Sequence, residues 1–202
     1  LIDAVSKVLV PGNISYVKWD MNRHLTDLGS AYLDRKNQNE LSHRYVLGLY
    51  QVMETLTERF PQVLFESCSS GGGRFDAGML YYMPQTWTSD NTDAVCRLKI
   101  QHGTSFLFPT VTMGAHVSAC PNHQVGRTTP LATRFAVAAA GNLGYELDLK
   151  KLLKEEKKEV REQIAEYKRR RRTVQFGTYY RLADSFQENQ SAWNIVSEDG
   201  ME

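Results

Sequence analysis

Cysteine is scarce in this chain, and the three present, Cys68, Cys96 and Cys120, are an odd number without CxxC spacing. That argues against a disulfide framework and against a structural zinc site, and it favours a reducing, cytoplasmic setting. Charge of one sign is lacking too: 24 Lys and Arg face 23 Asp and Glu, a formal net charge of +1. No global field therefore points to nucleic acid or to a membrane surface. No run reaches the roughly 18 apolar residues of a membrane span, and nothing at the start resembles a signal peptide. What remains is ordinary for a folded chain: 202 residues, 42% hydrophobic and 23% charged, enough to bury a core of one or two modest domains.

Leu1 opens inside an amphipathic pattern with Ile2, Val5, Val8 and Leu9, which predicts a fragment that begins within a helix closed by Pro11 and Gly12. Short apolar runs then alternate with helical patterns. Strands are expected at 14–19 and 63–65, near Thr86 and Trp87, at 106–113 and at 135–139. Helices are expected at 41–60, where Tyr45, Leu49, Val52, Met53, Leu56 and Phe60 share one face, and at 79–82 and 93–102. The stretch 26–39 reads as loop. Such alternation argues for a parallel sheet covered by helices, doubly wound or closed as a (β/α)8 barrel. Polar chemistry repeatedly following a strand favours the barrel, whose active site is built by strand ends and the loops after them. About five strands are countable where eight are needed, so the expectation is the C-terminal half of a barrel over residues 1–172. The charged segment from Asp148 to Arg172 carries one apolar stripe (Leu153, Val160, Ile164, Tyr167) and reads as a solvated helix. Its Lys168–Arg172 run reads as a helix end whose cations complement the dipole, not as a nucleic-acid patch. Alternation from Thr173 to Leu182 predicts the start of a C-terminal β domain over 173–202.

Residues 16–24, YVKWDMNRH, begin like a buried strand and end in a cation, a carboxylate, an amide and a large aromatic, groups that are costly to desolvate unless they face a ligand or one another. Asp20 ends this strand, and Asp90 follows a strand two units on. Paired carboxylates across a pocket are what glycoside hydrolysis needs, with different environments for the two. Lys18 and Arg23 beside Asp20 would keep it ionised. Trp19 and Trp87 lie just before the two carboxylates, where an aromatic face could pack on a sugar ring or simply fill core. Lys18 and Asn22 could bond hydroxyls. CSSGGG, from Cys68 to Gly73, lacks the spacing of the phosphate-binding loops and suits close backbone approach to another ligand. His116 and His123, seven apart, could be metal ligands but read better as structural histidines, and Cys68 has no evident histidine partner as a nucleophile.

Together KWDMNR (18–23), ESCSSGGGRFD (66–76), WTSDNTDA (87–94) and GNLGYELD (141–148) resemble the retaining α-galactosidases of glycoside hydrolase family 36, in order and register from residue 1 to 182. The resemblance implies that Asp20 is the nucleophile and Asp90 the general acid/base. It further implies that Lys18, Trp19, Asn22 and the turn Cys68, Ser69, Ser70 and Gly71 line the galactose pocket. No metal or organic cofactor is implied. The substrates would be melibiose- or raffinose-type α-galactosides, with no nucleic-acid or membrane partner, and the full-length parent would be a homo-oligomer, often a tetramer. In that family a β domain and early barrel strands precede this region, so the fragment alone is expected to be weak or inactive. An α-N-acetylgalactosaminidase, a galactosyl transferase of the same architecture, or a non-catalytic sugar-binding remnant are the alternatives.

Overall fold

The computed structural model describes residues 1–22, 26 and 28–201; Arg23 of the opening motif lies outside them. Five parallel strands follow one another in chain order, β1 (Tyr16–Asp20), β2 (Leu64–Cys68), β3 (Gln85–Trp87), β4 (Met113–Ser118) and β5 (Asn142–Glu146). The order never reverses, so there is no switch point of the doubly wound kind. This is the progression of a (β/α) barrel. After it comes an antiparallel pair, β6 (Thr178–Ala183) and β7 (Ala192–Val196), the start of a second sheet. By compactness the chain divides into Leu1–Thr86 and Trp87–Glu202.

In the first unit, helix α1 (Ile2–Leu9) stops where Pro11 and Gly12, the latter at φ 81°, turn the chain. Helix α2 (Leu41–Arg59) presents Met53 and Leu56, both essentially inaccessible, to Phe65 of β2 and to Met79 and Met83 around the short helix α3 (Ala77–Tyr82). Burying a side chain of that size contributes about 2 kcal/mol. Strands β1 and β2 pair in parallel with Lys18 opposite Glu66 and Asp20 opposite Cys68. Because strand side chains alternate, Val17 and Trp19 join the helix-side core while Tyr16, Lys18 and Asp20 stand on the other face. A 3-10 helix, Arg35–Glu40, occupies part of the stretch expected to be loop.

In the second unit, α4 (Ala94–Thr104) is capped by Asp93, whose carboxylate accepts from the Cys96 N–H at 2.9 Å. Two expected strands are corrected here. Residues 106–112 form a turn and a 3-10 helix (Thr110–Thr112), because Pro109 has no N–H for a ladder and its carbonyl instead takes the Thr112 N–H at 3.0 Å. The strand follows as β4, with Ala115 and Val117 fully buried. Residues 135–138 belong to helix α5 (Leu131–Ala138) and Ala139 is its C-cap; the helix starts after Pro130 and buries Leu131, Arg134, Val137 and Ala138 at helical spacing. The strand again comes later, as β5 within the GNLGYELD motif.

Helix α6 (Lys154–Phe176) runs past the basic cluster, so residues 173–176 are helical and the next strand begins at Thr178. Its Val160 and Ile164 pack on β4 and β5, and the Tyr167 hydroxyl donates to the Gly141 carbonyl at 2.8 Å. Arg169 and Arg170 both pair with Glu166 on the exposed face.

Candidate active site

In the first unit the polar groups sit on the strand face turned away from the helices, and in the second they gather around the loop that follows β3. In the first, Asp20 is the last residue of β1, opposite Cys68, with Lys18 two residues before it on the same face. The Cys68 thiol is buried and its pKa is raised, first by desolvation and further by the Asp20 carboxylate. The Gly71 backbone and the Lys18 ammonium pull it the other way. A thiol held protonated in this way is a poor nucleophile.

The loops after β1 and β2 are stitched together. Met21 N–H donates to the Cys68 carbonyl at 2.9 Å, and the Ser69 hydroxyl donates to the Met21 carbonyl. Asn22 Oδ1 accepts from the Ser70 N–H at 2.7 Å, which fixes the amide and leaves its NH2 as the donor end. Ser70 (φ 48°) and Gly71 (φ 83°) turn the chain back in the left-handed region, and the Ser69 N–H closes the turn on the Gly71 carbonyl at 2.8 Å. Arg74 holds the turn from outside through Ser69 Oγ at 3.2 Å. The structure thus brings Lys18, Asp20, Asn22, Cys68, Ser69, Ser70 and Gly71 into one neighbourhood. Trp19 lies on the opposite face, its ring 6.5 Å from that of Phe65 in the core under α2.

In the second unit, Asp90 lies in the loop immediately after β3. Its Oδ1 accepts from the Trp87 indole N–H at 3.1 Å. Trp87 itself is 3% exposed. The imidazole of His116 stacks on it at 4.4 Å between centroids, and the Arg97 guanidinium stands 4.9 Å from the ring centre. The loop is braced on both sides of Asp90: Asn91 N–H bonds Ser89 Oγ, and Asp93 N–H bonds Asn91 Oδ1, each at 3.1 Å. From the β4–α5 loop, Gln124 accepts the Thr92 N–H, Asn122 donates to Thr92 Oγ1, and Arg127 pairs with Asp93. His116 meets Glu146 through Nδ1 at 3.1 Å, while His123 lies outside this arrangement on the β4–α5 loop.

Sequence reasoning passed over Arg97 and Glu146, and it took His116 only as structural. Arg97 is 2% exposed; its acceptors are Gln101 Oε1 and the carbonyls of Gly114 and Ser89. Desolvation lowers its pKa to about 10, so it stays charged at neutral pH. Glu66 was quoted only as part of a motif, yet it is buried on the polar face of β2 and takes a 2.6 Å bond from Gln85. The three cysteines are all free, and among the described residues no cluster of three or more His, Cys, Asp or Glu is placed to hold a metal ion. Among the described residues, no helix is long and apolar enough to cross a membrane.

Consecutive β/α units with polar loops after the strands define a segment of a (β/α) barrel. Residues 1–177 match the melibiase family model, and the chain belongs to that family. It is 61% identical over its full length to α-galactosidase AgaA of Geobacillus stearothermophilus, of which it spans 28%. It is 54% identical over 98% of its length to α-galactosidase 1 of Pediococcus pentosaceus, spanning 27% of that protein. The crystal structure of AgaA, a glycoside hydrolase family 36 enzyme, superposes on 98% of this chain with a TM-score of 0.96 at 62% identity, again over 28% of the enzyme. Variants of AgaA have been solved with raffinose and with stachyose.

Proposed function

We propose that this chain carries both catalytic carboxylates of a retaining α-galactosidase acting on raffinose- and melibiose-type α-galactosides. The observation that carries the reading is the placement of Asp20 at the tip of β1, on the face away from the helices, beside the Lys18 cation and the protonated Cys68. Asp20 attacks the anomeric carbon as Asp90 protonates the departing glycosidic oxygen, which gives a covalent galactosyl-enzyme. Asp90 then takes a proton from water as the water oxygen bonds to that carbon and the bond to Asp20 breaks. Two inversions return α-galactose. The chemistry needs no cofactor.

Lys18, the NH2 of Asn22 and the backbone of the Cys68–Gly71 turn are the groups suited to the sugar hydroxyls, since each ends on the same neighbourhood as Asp20. Trp19, behind the strand, and Trp87, almost fully covered, serve the site by holding it rather than by meeting the sugar. Kinship with α-galactosidases crystallised with raffinose and stachyose supports the substrate class. The aspartate replaced by asparagine in the raffinose complex and the aspartate replaced by alanine in the stachyose complex also stand as far apart in sequence as Asp90 and Asp20 do.

A product assay tests the reading. The full-length protein, given raffinose in D2O and followed by proton NMR, should release α-galactose first, with the β anomer growing in only by mutarotation. First release of β-galactose would make the enzyme inverting and remove the covalent step; no release of galactose would remove the activity.

A further inference from the structure

Trp87 has both its ring and its N–H engaged, and the combination has a chemical consequence for Asp90. The indole N–H is a donor and nothing else, so it bonds a carboxyl oxygen that is accepting in either protonation state. Here that oxygen is Asp90 Oδ1, at 3.1 Å. An oxygen that already accepts a bond is the less basic of the two. We propose that Trp87 is a positioning residue that turns the Asp90 carboxyl and reserves Oδ2 as the atom that gives and takes the catalytic proton. The inference rests on Asp90 being the general acid/base.

In the first step the Oδ2–H bond breaks and its proton passes to the glycosidic oxygen as the carbon–oxygen bond to the leaving group breaks. In the second, Oδ2 takes a proton from the attacking water. Oδ1 keeps its bond to Trp87 throughout, so the carboxyl does not have to rotate between the two half-reactions.

The indole is held firmly enough for this task. His116 stacks on it with the planes 27° apart, and the imidazole is anchored at Nδ1 by Glu146. The neighbouring strand leaves room for that ring. His116 stands opposite Gly144, where an added Cβ would fall 2.6 Å from His116 Cδ2. Arg97, buried and bonded to the Gly114 carbonyl at 2.7 Å, places a cation near the same indole and reaches the Ser89 carbonyl beside Asp90. A cation near the π-face is attractive, more so when it is desolvated. β3, β4 and β5 thus each lend a residue to the orientation of one carboxyl group.

Trp87→Phe in the full-length protein keeps an aromatic ring and loses the N–H. A merely structural role would lower turnover of every substrate alike. A role in proton delivery follows the leaving group, because a nitrophenolate departs with little protonation and a sugar alkoxide does not. The expected result is that kcat/KM for raffinose falls at least about tenfold more than kcat/KM for p-nitrophenyl α-galactoside. In an Asp90→Ala background the same substitution should have almost no further effect on raffinose. If Trp87→Phe does not fold, Gly144→Ala, which presses on the stacked imidazole without touching Asp90, should give the same split. Equal losses on both substrates, or an undiminished effect in the Asp90→Ala background, would overturn the proposal. An Asp90→Ala enzyme that does not itself discriminate between the substrates would instead remove the assignment of Asp90.

Discussion

Asp20→Gly in the full-length protein is expected to lower turnover of p-nitrophenyl α-galactoside by about 10⁴-fold or more, the scale on which removal of a covalent nucleophile is felt. Added azide should then restore turnover and give β-galactosyl azide. The physical basis is local. Asp20 ends β1 with its side chain on the open face, and glycine there leaves a space the size of a carboxymethyl group bounded by Lys18 and Cys68. A small anion fits that space, is attracted by the Lys18 cation, and reaches the anomeric carbon from the side that Asp20 would use. One inversion replaces two, so the product anomer reports which group was removed. Activity unchanged in Asp20→Gly would exclude Asp20 from the mechanism.

The second large effect belongs to Asp90, and it depends on the substrate. In Asp90→Ala, kcat/KM for raffinose should fall by roughly 10²- to 10⁴-fold, the usual worth of a positioned general acid. For p-nitrophenyl α-galactoside the same constant should change little, because its leaving group needs little help. There kcat and KM should fall together, since the galactosyl-enzyme accumulates without a base to activate water. Azide needs no such base, so it should speed this second step and give α-galactosyl azide, the opposite anomer from the Asp20 variant. A uniform loss on both substrates, without azide acceleration, would assign Asp90 a structural part only.

How far these residues were legible from sequence depended on where they fall in the fold. Helix α2 was readable because its apolar residues repeat at 3.6 over five turns and Pro61 follows it. The position of Asp20 at a strand end was readable because a cation, an aromatic and a carboxylate end a short apolar run. The strands β4 and β5 were not. MGAHVS carries Gly and Ala, and NLGYE carries Asn, Gly and Glu, residue types that are depleted in strands on average and are tolerated here by parallel pairing between the two strands. Apolar runs next to them drew the expectation away: Phe106 and Leu107 are 64% and 82% exposed in a turn, and the alanine-rich 135–139 run is helical. A short apolar run does not separate buried strand from buried helix by periodicity. His116 and Glu146 were hidden as a result, since their meeting depends on the register that sets His116 against Gly144.

The two tryptophans make the same point in opposite ways. Trp19 precedes Asp20 in a strand, so period-two alternation already sends the two side chains to opposite faces, and the structure puts Trp19 on Phe65. Trp87 stands on the polar face with Gln85, and Arg97 and His116, distant from it in sequence, cover it in the fold.

The central claim is the covalent bond to Asp20, and trapping it is the most direct test. The full-length protein should be incubated with a 5-fluoro galactosyl fluoride, digested and mapped by tandem mass spectrometry. The account predicts a single added fluorogalactosyl group on the peptide containing Lys18–Asn22, located on Asp20 and absent in Asp20→Gly. A label on any other residue, or steady turnover of the reagent with no adduct formed, would contradict it.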